Sequence, residues 1–455
     1  MLKIPESIKN NIFSKMNQKT EILPANYQNS EKKEKKAANK LKASNFSLNS
    51  CNYLLEQLSS MNYTSSSNKV PIKFTMGNLS AYGRPEISLP YEGYDSIRKA
   101  IGSQTNHGYN NSQGIPAARS ALAKVFSGPS FPLTEKDIFI TNGSGIALLY
   151  CLLAFCDELD NILVPDVGFP FFINAGKIYN VQVKTYKLNP KDNWKLDLQD
   201  LETKIDSRSK FIFLINPTNP LGTVYPKEHL IELLALAKKK GIAIVADEIY
   251  AHMVFKNTDF ISIGHLTEEV PVITMCALDK LFLAGGWAIG WLCFYDRFGI
   301  LDDVKKGMAN LAQIYLHPTT FIQAGLPEFL DKVPLTYVKE NIMPFLEENR
   351  DFLKKEIDSI EGLEMIVPMG TPNVSILVKI KEFCIFKNDK EFAQKFMEEE
   401  NVATVPLSCF YYDGELQDAE SKIQGFRILS CAKKEDYVEL VERLKDFTEK
   451  YRRRK

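Results

Sequence analysis

Five groups of polar or aromatic residues stand just after short apolar runs. Asn142-Gly143-Ser144 follows DIFIT, Phe169 follows NILVPD, Asn219 follows FIFLINP, Asp247 closes IAIVA and Lys280 follows VITMCAL. An Asn-Gly-Ser step that opens a helix offers free backbone N–H groups and the positive end of the helix dipole to a phosphate. Taken alone it is equally an ordinary strand-to-helix turn. Asp247 is a carboxylate whose burial is costly unless it meets a cation, and a protonated ring nitrogen, a helix N-terminus or an ion pair would all serve. Lys280 needs a partner or a lowered pKa in the same setting. A carbonyl compound that forms a Schiff base with it removes the ammonium and makes the lysine a covalent catalyst. A lone lysine after a strand is usually a surface residue, so its weight comes from its company. The run NPTNPLG (216–222) is the most specific signal, because two Asn-Pro steps within five residues predict a rigid extended turn that fixes Asn219.

The elements that must position these residues are legible from periodicity. Helical patterns are expected at Pro116–Ser127, Gly145–Phe155 and Lys227–Lys240, and strands at Asp137–Thr141, Asn161–Val164, Val181–Leu188, Phe211–Ile215, Ile242–Ala246, Val272–Cys276 and Trp291–Tyr295. Short β-branched strands separated by helices imply βαβ units and a mostly parallel central sheet covered on both faces, an α/β fold. In such a sheet the ligand crevice lies at the carboxyl ends of the strands. Five unusual residues at five such ends predict a site there. After about residue 334 the pattern changes to a long charged helix (Tyr337–Ile357), a strand near Val374–Ile380 and a final helix near Lys434–Tyr451. The expected organisation is an N-terminal extension (1–70), a segment joining the small domain (71–93), a large domain (94–333) and a smaller α+β domain (334–455).

Composition narrows the function classes. Lys+Arg and Asp+Glu balance at 56 each, which argues against a surface built to hold nucleic acid or an anionic membrane. No run approaches the roughly 18 uninterrupted apolar residues of a membrane helix. The 8 cysteines form no CxxC pair and sit mostly in apolar runs such as ITMCALD and GWLCFY, so they read as buried hydrophobes in a reducing compartment. No metal-ligand spacing stands out. The first 70 residues hold no Arg and are rich in Lys, Asn and Ser. They read as a disordered or weakly helical extension. Within it Ile4, Ile8, Ile12 and Met16 recur at helical spacing, but Pro5, Glu6 and the missing Arg make a tail a better reading than a targeting helix. The expected location is cytoplasmic, with mitochondria as the alternative.

From Phe74 to the C-terminus the chain resembles the fold-type I pyridoxal-phosphate (PLP) aminotransferases, most closely the tyrosine and alanine aminotransferase-like branch. The resemblance is carried, in order, by MGN at Met76, HGYNNSQG at His107, TNGSG at Thr141, VPDVGFP at Val164, NPTNPLG, ADEIYAHMVF at Ala246, ALDKLFLAGGWAIGW at Ala277 and GFRILS at Gly425. It implies that Lys280 forms a Schiff base with the cofactor and later shuttles the substrate α-proton. Asp247 would keep the pyridine nitrogen protonated so that the ring is an electron sink. Asn219 and Tyr250 would bond the phenolic oxygen, Phe169 would stack on the ring, and Asn142, Gly143 and Ser144 would hold the phosphate with Tyr109 of a partner subunit. Arg427 would grip the substrate carboxylate through its planar fork, with Gly77 and Tyr82 on the substrate side. A homodimer exchanging an amino group between an amino acid and a 2-oxo acid is implied.

The departures are concentrated around the lysine. The family pattern S-x-S-K followed by G-x-R-x-G reads here Ala277-Leu278-Asp279-Lys280 and Gly286-Trp287-Ala288-Ile289-Gly290. The resemblance thus implies that Ala288 replaces the arginine that meets the phosphate. Two competitors follow: a PLP-dependent lyase or aminocyclopropane-carboxylate-synthase-like enzyme, and a pseudoenzyme that keeps the fold for binding.

Overall fold

The computed structural model describes residues 43–453 except 45–46, 49, 51, 62–63, 76, 78, 83–86, 130, 317 and 413–422. The Ile4–Met16 pattern, the charged run at 31–36, and Met76 and Asn78 of the MGN motif lie outside the described residues. All elements below belong to the compact unit 46–455.

The strands are β1 (Ile72–Lys73), β2 (Ile138–Thr141), β3 (Asn161–Pro165), β4 (Gln182–Tyr186), β5 (Leu188–Asn189), β6 (Lys195–Leu196), β7 (Ser209–Ile215), β8 (Ala243–Asp247), β9 (Val272–Ala277), β10 (Gly290–Tyr295), β11 (Leu363–Ile366), β12 (Asn373–Val378), β13 (Val402–Ala403), β14 (Val405–Pro406) and β15 (Gly425–Leu429). The helices are α1 (Tyr53–Ser60), α2 (Tyr91–Gly102), α3 (Pro116–Phe126), α4 (Gly143–Phe155), α5 (Phe171–Ile178), α6 (Leu198–Lys204), α7 (Lys227–Lys240), α8 (Leu278–Leu281), α9 (Asp302–Tyr315), α10 (Thr320–Lys332), α11 (Tyr337–Asn341), α12 (Met343–Ile357), α13 (Asp389–Glu400) and α14 (Lys434–Tyr451).

A seven-stranded sheet in the order β2-β10-β9-β8-β7-β3-β4 forms the centre. β3, β4, β7, β8 and β9 pair in parallel, whereas β10 runs antiparallel to both β2 and β9. Strands β3, β8, β9 and β10 are buried along their whole length. That is why they read as continuous apolar runs rather than alternating ones. The local chemistry agrees with the elements: α3 opens on Pro116, and α7 closes on Gly241 at φ +63° with Lys238, Lys239 and Lys240 in its last turn.

A second, antiparallel sheet has the order β11-β12-β15-β14. Leu353 and Ile357 of α12, Phe392 and Phe396 of α13, and Leu440, Leu444 and Phe447 of α14 pack with its strands into one apolar cluster. β1 pairs in parallel with β13, Ile72 opposite Val402.

Three of the differences from the expected boundaries have a local physical cause. Asp137 is not in the strand, because its carboxylate accepts hydrogen bonds from Thr134 and so caps a short 3-10 turn ahead of β2. The expected strand Val181–Leu188 begins at Gln182, stops at Tyr186 and resumes as β5, which turns into a small hairpin with β6. The long helix Tyr337–Ile357 is broken at Ile342. Pro344 lacks the N–H that a continuous helix needs and its ring would meet the carbonyl of Glu340.

Candidate active site

The carboxyl ends of the parallel strands form one edge. Ile215 of β7 lies opposite Asp247 of β8, and Asp247 lies opposite Met275 of β9. Gly290, the first residue of antiparallel β10, pairs with both Thr141 at the end of β2 and Ala277 at the end of β9. One edge therefore carries the start of α4, the NPTNPLG run, Asp247 and Lys280. The approach is close where β10 meets α4. A Cβ on Gly290 would stand 2.7 Å from the Gly143 carbonyl carbon and 3.0 Å from the Ser144 nitrogen. Gly143 is the first residue of α4 at φ +79°, with open space where a Cβ would be. The helix thus begins one residue before Ser144 and two before the expected start, so the N–H groups of its first turn face this edge unpaired within the helix.

The NPTNPLG run doubles back instead of staying extended. Gly222 N–H donates to the Thr218 carbonyl and Thr218 N–H to the Thr223 carbonyl, and both Asn-Pro bonds are cis. The turn buries Asn216 and Asn219. Tyr225 N–H donates to Asn216 Oδ1, while Asn219 Oδ1 is buried without a hydrogen-bond partner.

Lys280 and Asp247 share one field. Lys280 Nζ donates to Asp279 Oδ2 at 2.8 Å. Burial lowers the lysine pKa, but the opposing pull of Asp279, Tyr250 and Asp247 outweighs it and the net shift is upward. Asp247 accepts the Ile249 N–H at 3.1 Å. Burial raises its carboxyl to about 7, Asp279 adds to the rise, and the Ile249 N–H and Lys280 oppose it. A cation placed at this carboxylate would restore its ionised form.

Arg427 on β15 is fully enclosed. Its Nη2 donates to the Thr75 carbonyl at 2.9 Å and its Nη1 to Asn373 Oδ1 at 3.4 Å, its guanidinium lies over the Phe410 ring, and its Nε has no partner. Burial lowers its pKa, and Tyr250 and Tyr82 are the leading opposing influences. Tyr82 is half-buried, and burial, with Cys431 beside it, pushes its phenol up against the opposing pull of Arg427. The Phe169 carbonyl accepts the Tyr412 hydroxyl at 2.5 Å.

The structure thus brings Asp247, Lys280, Tyr250, Arg427 and Tyr82 into a single electrostatic neighbourhood. Asn142 and Gly77 are exposed, and Tyr109 is 86% exposed, standing on the surface of this chain. Sequence reasoning missed the pairing of Asp279 with Lys280 and the use of Asn373 and Thr75 to hold Arg427. Nothing in the local sequence around Asn373 signals that it lies diagonally across from Arg427 on the neighbouring strand.

The comparisons fit this geometry. The model for aminotransferase class I and II matches residues 82–444. The chain belongs to the class I and II aminotransferase family. It is 30% identical to a tyrosine aminotransferase of Bos taurus over 412 residues, covering 90% of this chain and 91% of that one. It is 32% identical to a tyrosine aminotransferase of Dictyostelium discoideum over 392 residues, covering 85% and 91%. An alanine aminotransferase structure from Pyrococcus furiosus superposes with a TM-score of 0.80 at 28% identity, covering 90% of this chain and all of that one. A tyrosine aminotransferase structure from Leishmania infantum superposes at 0.84 over 92% of this chain and 100% of that one, and at 24% identity it attests the fold alone. This aminotransferase therefore has the α/β fold of the type I PLP-dependent transferases, and the family is PLP-dependent. Among the described residues no helix is long and apolar enough to cross a membrane, and no cluster of three His, Cys, Asp or Glu could hold a metal ion.

The residues at the edge fit PLP at its ring. A buried carboxylate short of a cation, a buried amide oxygen without a partner and a half-buried aromatic at Phe169 suit a protonated, oxygen-substituted pyridine. At the phosphate end they offer the first-turn N–H groups of α4 and the Ser144 hydroxyl.

Proposed function

We propose that this aminotransferase carries PLP on Lys280 and transfers the amino group of a neutral or aromatic amino acid to a 2-oxo acid in two half-reactions. The observation that carries the reading is the placement of Asp247 at the end of β8 and of Lys280 in α8, directly after the adjacent parallel strand β9, with the Arg427 guanidinium in the same field. When bound, the cofactor supplies an electron sink for the charge left on the α-carbon.

Each residue of the chain then has a task. Asp247 holds a proton on the ring nitrogen, and in return gains the cation its buried carboxylate needs. Asn219 and Tyr250 bond the ring oxygen, and Phe169 covers one ring face. Gly143, Ser144 and the Asn142 turn meet the phosphate. The Lys280 amine would move a proton at the substrate α-carbon. Arg427 would bind the substrate carboxylate through its planar fork and so orient the substrate. Gly77 and Tyr82 border the substrate, and the half-buried Tyr82 ring suits an aromatic or apolar side chain, as do the names of the tyrosine aminotransferases above. Tyr109, exposed in one chain, suits a homodimer in which it completes the partner's phosphate site.

Adding PLP to the purified protein should produce a visible band that is lost in Lys280→Ala. Tyrosine alone should bleach the band stoichiometrically, and 2-oxoglutarate or pyruvate should restore it. Absence of the band at saturating PLP refutes the reading. Catalytic release of ammonia or keto acid from the amino acid alone assigns a lyase instead.

A further inference from the structure

Two stretches of chain border the phosphate end of the proposed cofactor site, and neither carries a cation. Residues 138–156, which run through β2 and α4, contain no Lys, Arg or His. Nor do residues 281–296, which run from the end of α8 through β10. The contact of Gly290 with Gly143 and Ser144 locks these two stretches together at the helix start. Between α8 and β10 the chain makes a turn, Gly285-Gly286-Trp287, that ends on Ala288 at φ +51°. Gly285, Gly286 and Ala288 are exposed, and a Cβ on Gly286 would meet nothing within 4 Å. The turn passes over an acid, since a Cβ on Gly285 would lie 3.3 Å from the Asp279 Cβ.

Asp279 is the only charged side chain between Ala277 and Tyr295 other than Lys280. It engages that lysine, holding Lys280 Nζ through Oδ2, while Oδ1 is buried without a hydrogen-bond partner. A dianion here meets backbone N–H groups and a hydroxyl, no free cation from these segments, and a carboxylate close by. Charge-assisted bonds are the strong ones for phosphate, and like charges in a partly buried setting repel.

We propose that this enzyme holds the cofactor chiefly through Lys280 and the ring, and therefore distinguishes PLP only weakly from pyridoxal, which lacks the phosphate. The proposal rests on the cofactor reading above and concerns what Ala288 and Asp279 do to it.

The test is a pair of equilibrium titrations, PLP and pyridoxal, followed by the visible band and by tryptophan fluorescence in the full-length protein. The preference for PLP in the wild type should be below about a hundredfold. Ala288→Arg should raise that preference by about ten- to a hundredfold, the worth of one hydrogen bond between charged groups. Asp279→Asn should raise it as well by removing the repulsion. The ratio isolates the phosphate, because a change in Lys280 reactivity alters both affinities equally. Circular dichroism establishes that each variant is folded; if Ala288→Arg is not, Asp279→Asn carries the same readout. A wild-type preference well above a hundredfold, or a ratio unchanged in the folded variants, overturns the proposal and means that a cation reaches the phosphate from elsewhere. Failure of both compounds to give a Lys280-dependent band would instead refute the cofactor reading.

Discussion

The ammonium of Lys280 lies 2.8 Å from the carboxylate of its chain neighbour Asp279. The pair sits at the one edge of the sheet where the chemistry is expected, and it holds the lysine in its charged form. A charged lysine does not attack a carbonyl, so on the proposed reading Asp279 would slow the loading of the cofactor. Asp279→Asn removes a leading influence that raises the Lys280 pKa, so that pKa should fall. The rate at which the visible band grows after mixing with PLP near pH 7.5 should rise by about tenfold, the factor that one pKa unit gives. An unchanged rate would show that the pair opens before the cofactor arrives.

Lys280→Ala should remove the amino transfer itself. Proton transfer by a positioned group is worth roughly 10²–10⁴-fold, so turnover should fall at least that far while the thermal midpoint stays close to wild type. Partial recovery on adding a small primary amine would confirm that the missing function is the amine.

Arg427→Lys keeps the charge and loses the planar fork. The expected effect is a fall in kcat/KM of about ten- to a hundredfold, equivalent to roughly 1.5–3 kcal/mol, with most of it in KM. Steady-state kinetics with the best amino donor measures it. A pure kcat effect would mean that Arg427 acts on the reacting atoms rather than on substrate binding.

Asp247 and Glu248 are buried carboxyls raised to about 7 and about 8, chiefly by burial. Their folded values lie above the ordinary ones near 4, so the folded state binds more protons between those limits. The stability they contribute is fully present below about pH 4 and is lost as the pH rises through 7 to 8. The thermal midpoint of the cofactor-free protein should therefore fall between pH 5 and 8. One such group gives a slope on the order of 1 kcal/mol per pH unit. Asp247→Asn should flatten part of that slope, and PLP should do the same by supplying a cation. Identical pH profiles for wild type and Asp247→Asn would refute the assignment.

Gly290→Ala should weaken PLP binding without replacing any residue proposed to bond it. The added methyl would meet the Gly143 carbonyl carbon at 2.7 Å and the Ser144 nitrogen at 3.0 Å, both backbone, so the start of α4 must move. Overpacking of this kind costs about 1–3 kcal/mol. The titration used for Ala288→Arg reads the loss, which should be larger for PLP than for pyridoxal.

The site's residues were visible in the sequence because each follows an apolar, β-branched run, and runs of that kind in a βαβ pattern share a common carboxyl edge. Asp247, Asn219, Gly143 and Lys280 could be placed there without coordinates. The orientation of β10 could not, since a strand buried on both faces has the same apolar composition whichever way it runs. Its antiparallel course brings Gly290, not Tyr295, to the edge beside Gly143.

Periodicity and residue type are local properties, and they were enough to read the fold class, the sheet edge that carries the candidate site and the place of Lys280 beside it. How the charges are matched emerges only in the folded chain. Asp279 adjoins Lys280 in sequence, yet adjacency alone does not make the two side chains meet, as they do here beside the Gly285 turn packed against Asp279. Arg427 is held by Thr75 and Asn373, which are far from it in sequence. Electrostatic partners are set by distance in space and by burial, and neither is written in the order of residues along the chain.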